Sequence, residues 1–352
     1  MNSKNSAIIG CILGTAVGDA LGLPYEGLPR SRAVPFLGPP DRYRFFFGRG
    51  MISDDTEHTC MVAQSLIESG GNIDVFVKRF ARRLRWWLLA LPAGVGKATA
   101  ISCVKLWLGY HYEKSGVNSA GNGPAMRAAI FGAAIDNEDM MIRFVRASSS
   151  LTHRDPKAEL GALAVALAAR ESRHNATIDA KRWLDALQRV LGNEHDELID
   201  LAQRAISSVE AGESTQDYCF SIGQSRGVSG YTYDTVPVCI HAWLSHPRDM
   251  QRALASIIEC GGDADTTAAI VGGIVGSGVG QQGIPAELTQ GIFEWPRSVR
   301  WMERLGRDLA DATTKETAMK SPRVNPIAVL LRNVLFLSVV LFHGFRRLAP
   351  PY

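Results

Sequence analysis

Two short acidic runs hold the densest chemistry in this sequence. Ser53-Asp54-Asp55-Thr56 and Asp263-Ala264-Asp265-Thr266 each set two carboxylates beside hydroxyls. Oxygen donors of this kind suit hard cations such as Mg²⁺, Mn²⁺ or Ca²⁺. The spacing is not that of an EF-hand loop, because the closing glutamate is missing. The first run, taken alone, reads as a capped helix start. Ser53 or Asp54 would be the N-cap, and the acids would be stabilised by the helix dipole. The second run changes that balance, since Gly261-Gly262 before it allows a tight backbone at the acids. Four aspartates gathered in one place repel each other unless cations compensate, so two metal ions fit better than none.

The elements that must position these groups read as helices. Residues 60–67, 158–169, 183–191 and 198–209 carry apolar side chains at three- and four-residue spacing. Residues 231–240 are aromatic and β-branched, but Pro237 argues against a strand. A fixed-period repeat is missing, which disfavours a solenoid. The expectation is one all-α domain of about a dozen helices over residues 1–319. A helix is expected from Ala268 onward. Its five glycines, Gly272, Gly273, Gly276, Gly278 and Gly280, would be costly unless a neighbouring backbone comes close. Residues 7–17 follow Lys4 and have the outline of a signal peptide. Gly10, Gly14 and the direct run into Gly18-Asp19-Ala20-Leu21-Gly22 point instead to a buried first helix. Loops are expected at 27–50, 91–99, 115–124 and 221–233, where function concentrates.

Residues 320–352 form a polar linker and an apolar helical tail. The longest uninterrupted apolar run, 334–342, is too short to span a bilayer. A helix docked on the body or on a partner is expected. The alternative is a membrane-surface anchor with Arg346-Arg347 at its edge. The net charge of +3 is too small for a dedicated nucleic-acid binder. The cluster Lys78, Arg79, Arg82, Arg83 and Arg85 reads as a solvated helix face. None of the six cysteines falls in a CxxC pair, so a reducing compartment is expected, with a cytoplasmic location. Residues 94–99, GVGKAT, resemble the end of a P-loop, but position 91 is Leu91 where the first glycine would stand.

Set together, GCILGTAVGDALGLPYEG (10–27), SDDTEHT (53–59) and GGDADTTAAIVGG (261–273) resemble the ADP-ribosylglycohydrolase family, in that family's order. GVGKATAISCVKLW, NSAGNGPAMRAAIFG, LTHRDP and GYTYDTVPVCIHAWL resemble further family segments, so the likeness covers residues 6–285. It implies an all-α fold and a dinuclear Mg²⁺ site (Mn²⁺ as a substitute) that grips the distal ribose of ADP-ribose. Carried over by motif, Ser53, Asp54, Asp55, Asp263, Asp265 and Thr266 are the metal ligands. Ser53 stands where the family has threonine, and the hydroxyl is kept. Glu26 matches the acid/base or water-positioning glutamate, with Asp55 as the second catalytic carboxylate.

The same likeness assigns Gly94, Gly96, Ser119, Gly121 and Asn122 to the pyrophosphate, and His153 to the ribose or the site wall. Ala120 stands where some relatives stack an aromatic on adenine, which leaves Tyr231 or Tyr233 as candidates. Asp234 reads as a helix cap, with a group supporting the site from behind as the alternative. The chemistry implied is cleavage of the bond between ADP-ribose and an acceptor, a protein side chain such as arginine first. ADP-ribosylated serine, nucleic acid or a small ADP-ribose derivative are alternatives. A non-enzymatic alternative is an ADP-ribose-binding or toxin-occluding protein of the same fold.

Overall fold

The computed structural model describes residues 3–192 and 196–346. Seventeen α-helices form one all-α domain, and the described residues contain isolated β-bridges but no strands. The four periodic stretches lie inside the helices Asp54–Ser69, Pro156–His174, Ala180–Leu191 and Asp196–Glu210. The helix count exceeds a dozen because short helices occupy expected loops, such as Arg30–Leu37 within 27–50. Residues 231–240 enter the helix Thr232–Ser245 with Pro237 inside it. Burial on nearly every side outweighs their β-propensity. Tyr231, not Asp234, occupies the N-cap, and Asp234 instead accepts a hydrogen bond from Ser229.

At the centre, the N-terminal helix Lys4–Gly22 lies against Ala264–Val279. Every residue from 7 to 22 is buried, as a core helix requires. A Cβ on Gly10, Gly14, Gly18 or Gly22 would come within 2.3, 2.1, 2.0 or 2.3 Å of the carbonyl oxygens of Gly276, Gly272, Ala268 and Ala264. The four-residue period keeps these positions on one helix face. The two chains run antiparallel, backbone on backbone, so the glycine cost is offset by close packing. The second helix begins at Ala264, earlier than Ala268, which puts Asp265 in its first turn.

The C-terminal helix Pro326–Arg346 corrects one expectation. It is 21 residues long with mean hydropathy 2.0, sufficient in length and composition for a span. Arg332-Asn333 does not interrupt it, because both side chains turn onto the body. Arg332 pairs with Glu294 at 2.6 Å and donates to the Ile52 carbonyl at 2.5 Å, while Asn333 donates to the Ala90 carbonyl. Arg347 lies outside the described residues.

Candidate active site

Three helix ends converge because of the glycine packing. The end of the N-terminal helix arrives at the start of Ala264–Val279, which delivers Glu26 to Asp263-Ala264-Asp265. The junction is tied by Gly27 N–H to the Gly262 carbonyl at 2.7 Å and Gly262 N–H to the Leu28 carbonyl at 2.9 Å. Gly261 and Gly262 have φ of +72° and +81°, and a Cβ on either would strike backbone, so glycine is required there.

Asp19, buried within the N-terminal helix, brings in the third end. Its carboxylate accepts Ser53 N–H at 2.9 Å, Thr56 N–H at 3.1 Å and Thr56 Oγ1–H at 2.5 Å. It thus supplements Ser53, the N-cap of Asp54–Ser69, from another helix. Sequence reasoning missed this role, although a lone carboxylate between Val17-Gly18 and Ala20-Leu21 was the available signal.

The two acidic runs meet. Asp55 Oδ2 accepts from Ser53 Oγ at 3.0 Å and from Thr266 Oγ1 at 3.4 Å, across 211 residues of sequence. Asp263 Oδ2 accepts from Asn122 Nδ2 at 2.6 Å. Asp55 and Asp265 are buried, and each keeps an oxygen, Oδ1, without a hydrogen-bond partner. Burial, then neighbouring negative charge, holds Asp54, Asp55 and Asp265 well above the usual carboxylate range. For Asp265 the charges are Glu26, Asp55, Asp263 and Asp19; for Asp54 they are Asp19, Glu57 and Glu26. Burial also raises Asp19 to about 6. Among the described residues, no three carboxylate, imidazole or thiol groups stand ready as a ligand sphere. The donor set nevertheless fits hard cations. It is all oxygen, mixes carboxylate with hydroxyl, and contains buried oxygens that lack a counter-charge.

The expected substrate residues divide. Gly94 lies over the acids, since a Cβ there would be 3.6 Å from Asp54 Oδ1, and Gly96 caps the following helix Lys97–Trp107. Ser119 Oγ accepts Gly121 N–H within the loop, and Asn122 N–H goes to the Gly230 carbonyl of the 221–233 loop, so both backbone donors are already engaged. The Asn122 side chain joins the acid cluster. His153 is buried beneath this loop, 3.2 Å from a Cβ on Gly121 and 2.8 Å from one on Gly123, with Nδ1 against Thr152 Oγ1. Burial and then Arg127 lower it to about 3, so it is neutral near pH 7. Tyr233 is buried, while Tyr231 is only partly covered and pairs by backbone with Gly121.

Behind the cluster, Glu57 accepts from Arg297 Nη1 and Trp87 Nε1, both at 2.6 Å. Arg127, fully buried, holds Ser148, Thr152 and the Gly123 carbonyl, and lies 3.3 Å from His58 Nδ1. These pairings fix the floor beneath the acids and the 119–123 loop.

The sequence model of ADP-ribosylglycohydrolases matches residues 1–318. The chain belongs to the ADP-ribosylglycohydrolase family. The match runs past 285 through the helix Val299–Lys315 and stops before the C-terminal helix. An uncharacterised Archaeoglobus fulgidus protein is 31% identical over 274 residues, 76% of this chain and 86% of that one. The mouse ADP-ribosylhydrolase ARH3 is 26% identical, covering 80% and 86%. The Rhodospirillum rubrum ADP-ribosyl-[dinitrogen reductase] glycohydrolase is 26% identical, covering 81% and 89%. A solved ADP-ribosylglycohydrolase-related protein complex superposes with TM-score 0.62 at 24% identity, covering 89% of this chain and 100% of that one, a likeness of fold. Membership places this chain in a family of hydrolases.

Proposed function

We propose that this ADP-ribosylglycohydrolase is metal-dependent and releases ADP-ribose from a modified protein side chain, arginine first, thereby reversing ADP-ribosylation. The observation that carries the reading is the pair of buried, unpartnered oxygens, Asp55 Oδ1 and Asp265 Oδ1, facing a shared cluster of acids. Such oxygens are costly to leave ionised without a compensating charge, which a proton supplies in the apoprotein and a cation would supply at neutral pH. Ser53, Asp54, Asp55, Asp263, Asp265 and Thr266 would hold two Mg²⁺ ions. The ions would supply the positive charge that grips the vicinal ribose hydroxyls and orients a water.

The residues around them do the rest. Asn122 holds Asp263 in place. Glu26 stands exposed at the mouth, close enough for its charge to act on Asp54 and Asp265. There it can take the proton of the attacking water or return one to the leaving group, as the acceptor–C1″ bond breaks and the water oxygen joins C1″. Gly94 lies beside Asp54, and with Gly96 it would hold the pyrophosphate on that side.

The test is ADP-ribose release from a panel of ADP-ribosylated arginine, serine, nucleic acid and small derivatives, with Mg²⁺ or with chelator. Release that needs Mg²⁺ and is lost in folded Asp265→Asn supports the reading, and the panel identifies the acceptor. If no substrate is cleaved and ADP-ribose does not bind at millimolar Mg²⁺, the reading fails. ADP-ribose binding without turnover by the native chain would favour the non-enzymatic alternative.

A further inference from the structure

The C-terminal helix lies beyond the family match, and its polarity is inverted. Its body side carries Arg332 and Asn333 among Val329, Phe336 and Val339, all buried. Its outer side is apolar, with Ile327 68%, Leu331 58%, Val334 52%, Leu341 50%, Phe342 63% and Phe345 68% exposed. Their intervals of four, three, seven, one and three residues keep them on one face of the helix, so they form one stripe. Only 22% of its most apolar window is buried. Exposed apolar groups continue beside it. Leu89 and Leu91 flank Ala90, the acceptor for Asn333, and are 51% and 58% exposed. Phe46, which packs on the Phe336–Val339 cluster, stacks with the exposed Phe293 and abuts Phe47, 95% exposed. A patch of this kind on a folded surface marks an interaction site.

The charges beside the stripe say what it meets. Between Val75 and Tyr112 the chain has seven lysines and arginines and no acid, and after Glu316 it has five and no acid. The rest of the chain carries an excess of acids over bases. Arg332 is buried against Glu294, so the positive flank rests on the exposed members of the two segments. The two segments adjoin. Arg79, Arg82, Arg83, Lys320 and Arg323 line one cavity of about 820 Å³, together with Pro326 at the start of the C-terminal helix. Glu68 shares this cavity and pairs with Arg83 at 2.7 Å and Arg79 at 3.4 Å, but Arg82, Lys320 and Arg323 are exposed.

We propose that this face docks the protein on an anionic lipid surface, the helix lying in the interface plane. An apolar stripe beside a flank of net positive charge is the signature of such a helix. A second copy is a poor occupant, since two-fold pairing would bring the cationic flanks together. A span is disfavoured because withdrawing the helix would strand Arg332 and Glu294, both buried and paired. The proposal does not depend on which bond the active site cleaves.

The experiment is co-sedimentation of the full chain with vesicles of phosphatidylcholine, alone or with about 30% phosphatidylglycerol. Binding is expected only to the anionic vesicles, and it should be released by high salt. Leu331→Glu with Leu341→Glu should weaken partitioning about tenfold or more. Arg82→Ser with Arg323→Ser should weaken it about tenfold, while Tm stays within a few degrees of the parent. No partitioning onto either vesicle overturns the proposal. So does a dimer by light scattering that Leu331→Glu dissociates, or vesicle association that only detergent reverses.

Discussion

Single side chains decide whether the acids can serve as a site. The two acidic runs, 53–56 and 263–266, were legible because each is contiguous in sequence, and Asp55 meets Thr266 in the fold. Asp19 was not, since its partners Ser53 and Thr56 lie 34 and 37 residues away. Asn122 could be read only as a loop donor, because its bond to Asp263 crosses 141 residues. That bond predicts how Asn122→Ala behaves. A pyrophosphate contact would show in the substrate's KM, whereas a group orienting a ligand shows in metal affinity. The expected outcome is a Mg²⁺ activation constant raised by about 10- to 100-fold, with saturating Mg²⁺ restoring most of the rate. Titration of activity against Mg²⁺ checks this. An unchanged activation constant with a raised substrate KM would return Asn122 to the pyrophosphate.

Pairs of elements carry the geometry. The glycine-rich helix was legible as one that needs a close neighbour, but its partner was not. The four-residue glycine period in the N-terminal helix becomes informative only once the two are seen face to face. Gly14→Ala would drive a methyl to 2.1 Å from the Gly272 carbonyl oxygen. Backbone must move, so the variant is expected to lose about 1–3 kcal/mol in denaturant unfolding. Because Glu26 and Asp265 are delivered by these same helices, activity should fall further than stability accounts for. The C-terminal helix is a second case. Arg332 looked like an interruption of an apolar run, yet it is the anchor, bonded to Glu294 and to the Ile52 carbonyl next to Ser53. Removing one partner of a buried pair leaves the other charge stranded. Arg332→Met is expected to cost about 3–5 kcal/mol, while Arg332→Met with Glu294→Leu recovers part of it. A double mutant no more stable than Arg332→Met alone would mean the pair is not what anchors the helix.

At the scale of the whole molecule, the buried acids should contribute to stability with a pH dependence opposite to that of an ordinary paired carboxylate. All-α architecture was legible from periodicity, and so was the gathering of acids in one place. Their depth was not, because burial is a property of the assembled helices. Buried His58, His153 and His241, all held low, bind fewer protons in the folded chain than in the unfolded one below about pH 6.5, so the acids decide the sign above it. With Asp54, Asp55 and Asp265 raised by burial and mutual charge, and Asp19 to about 6, these acids bind more protons in the folded apoprotein than in the unfolded chain. Their share of the stability increases as pH falls through the raised folded values, complete only below the unfolded value of about 4. In chelator, Tm is expected to be higher at pH 7 than at pH 8, by about a few degrees. Mg²⁺ should shrink or reverse that difference, because cations stabilise the ionised carboxylates and binding releases protons. Calorimetric scans at both pH values, with and without Mg²⁺, measure it directly. A chelator-treated protein whose Tm rises toward pH 8 would show that the acids are already neutralised from within the fold. The case for cations at this site would then lose its electrostatic basis.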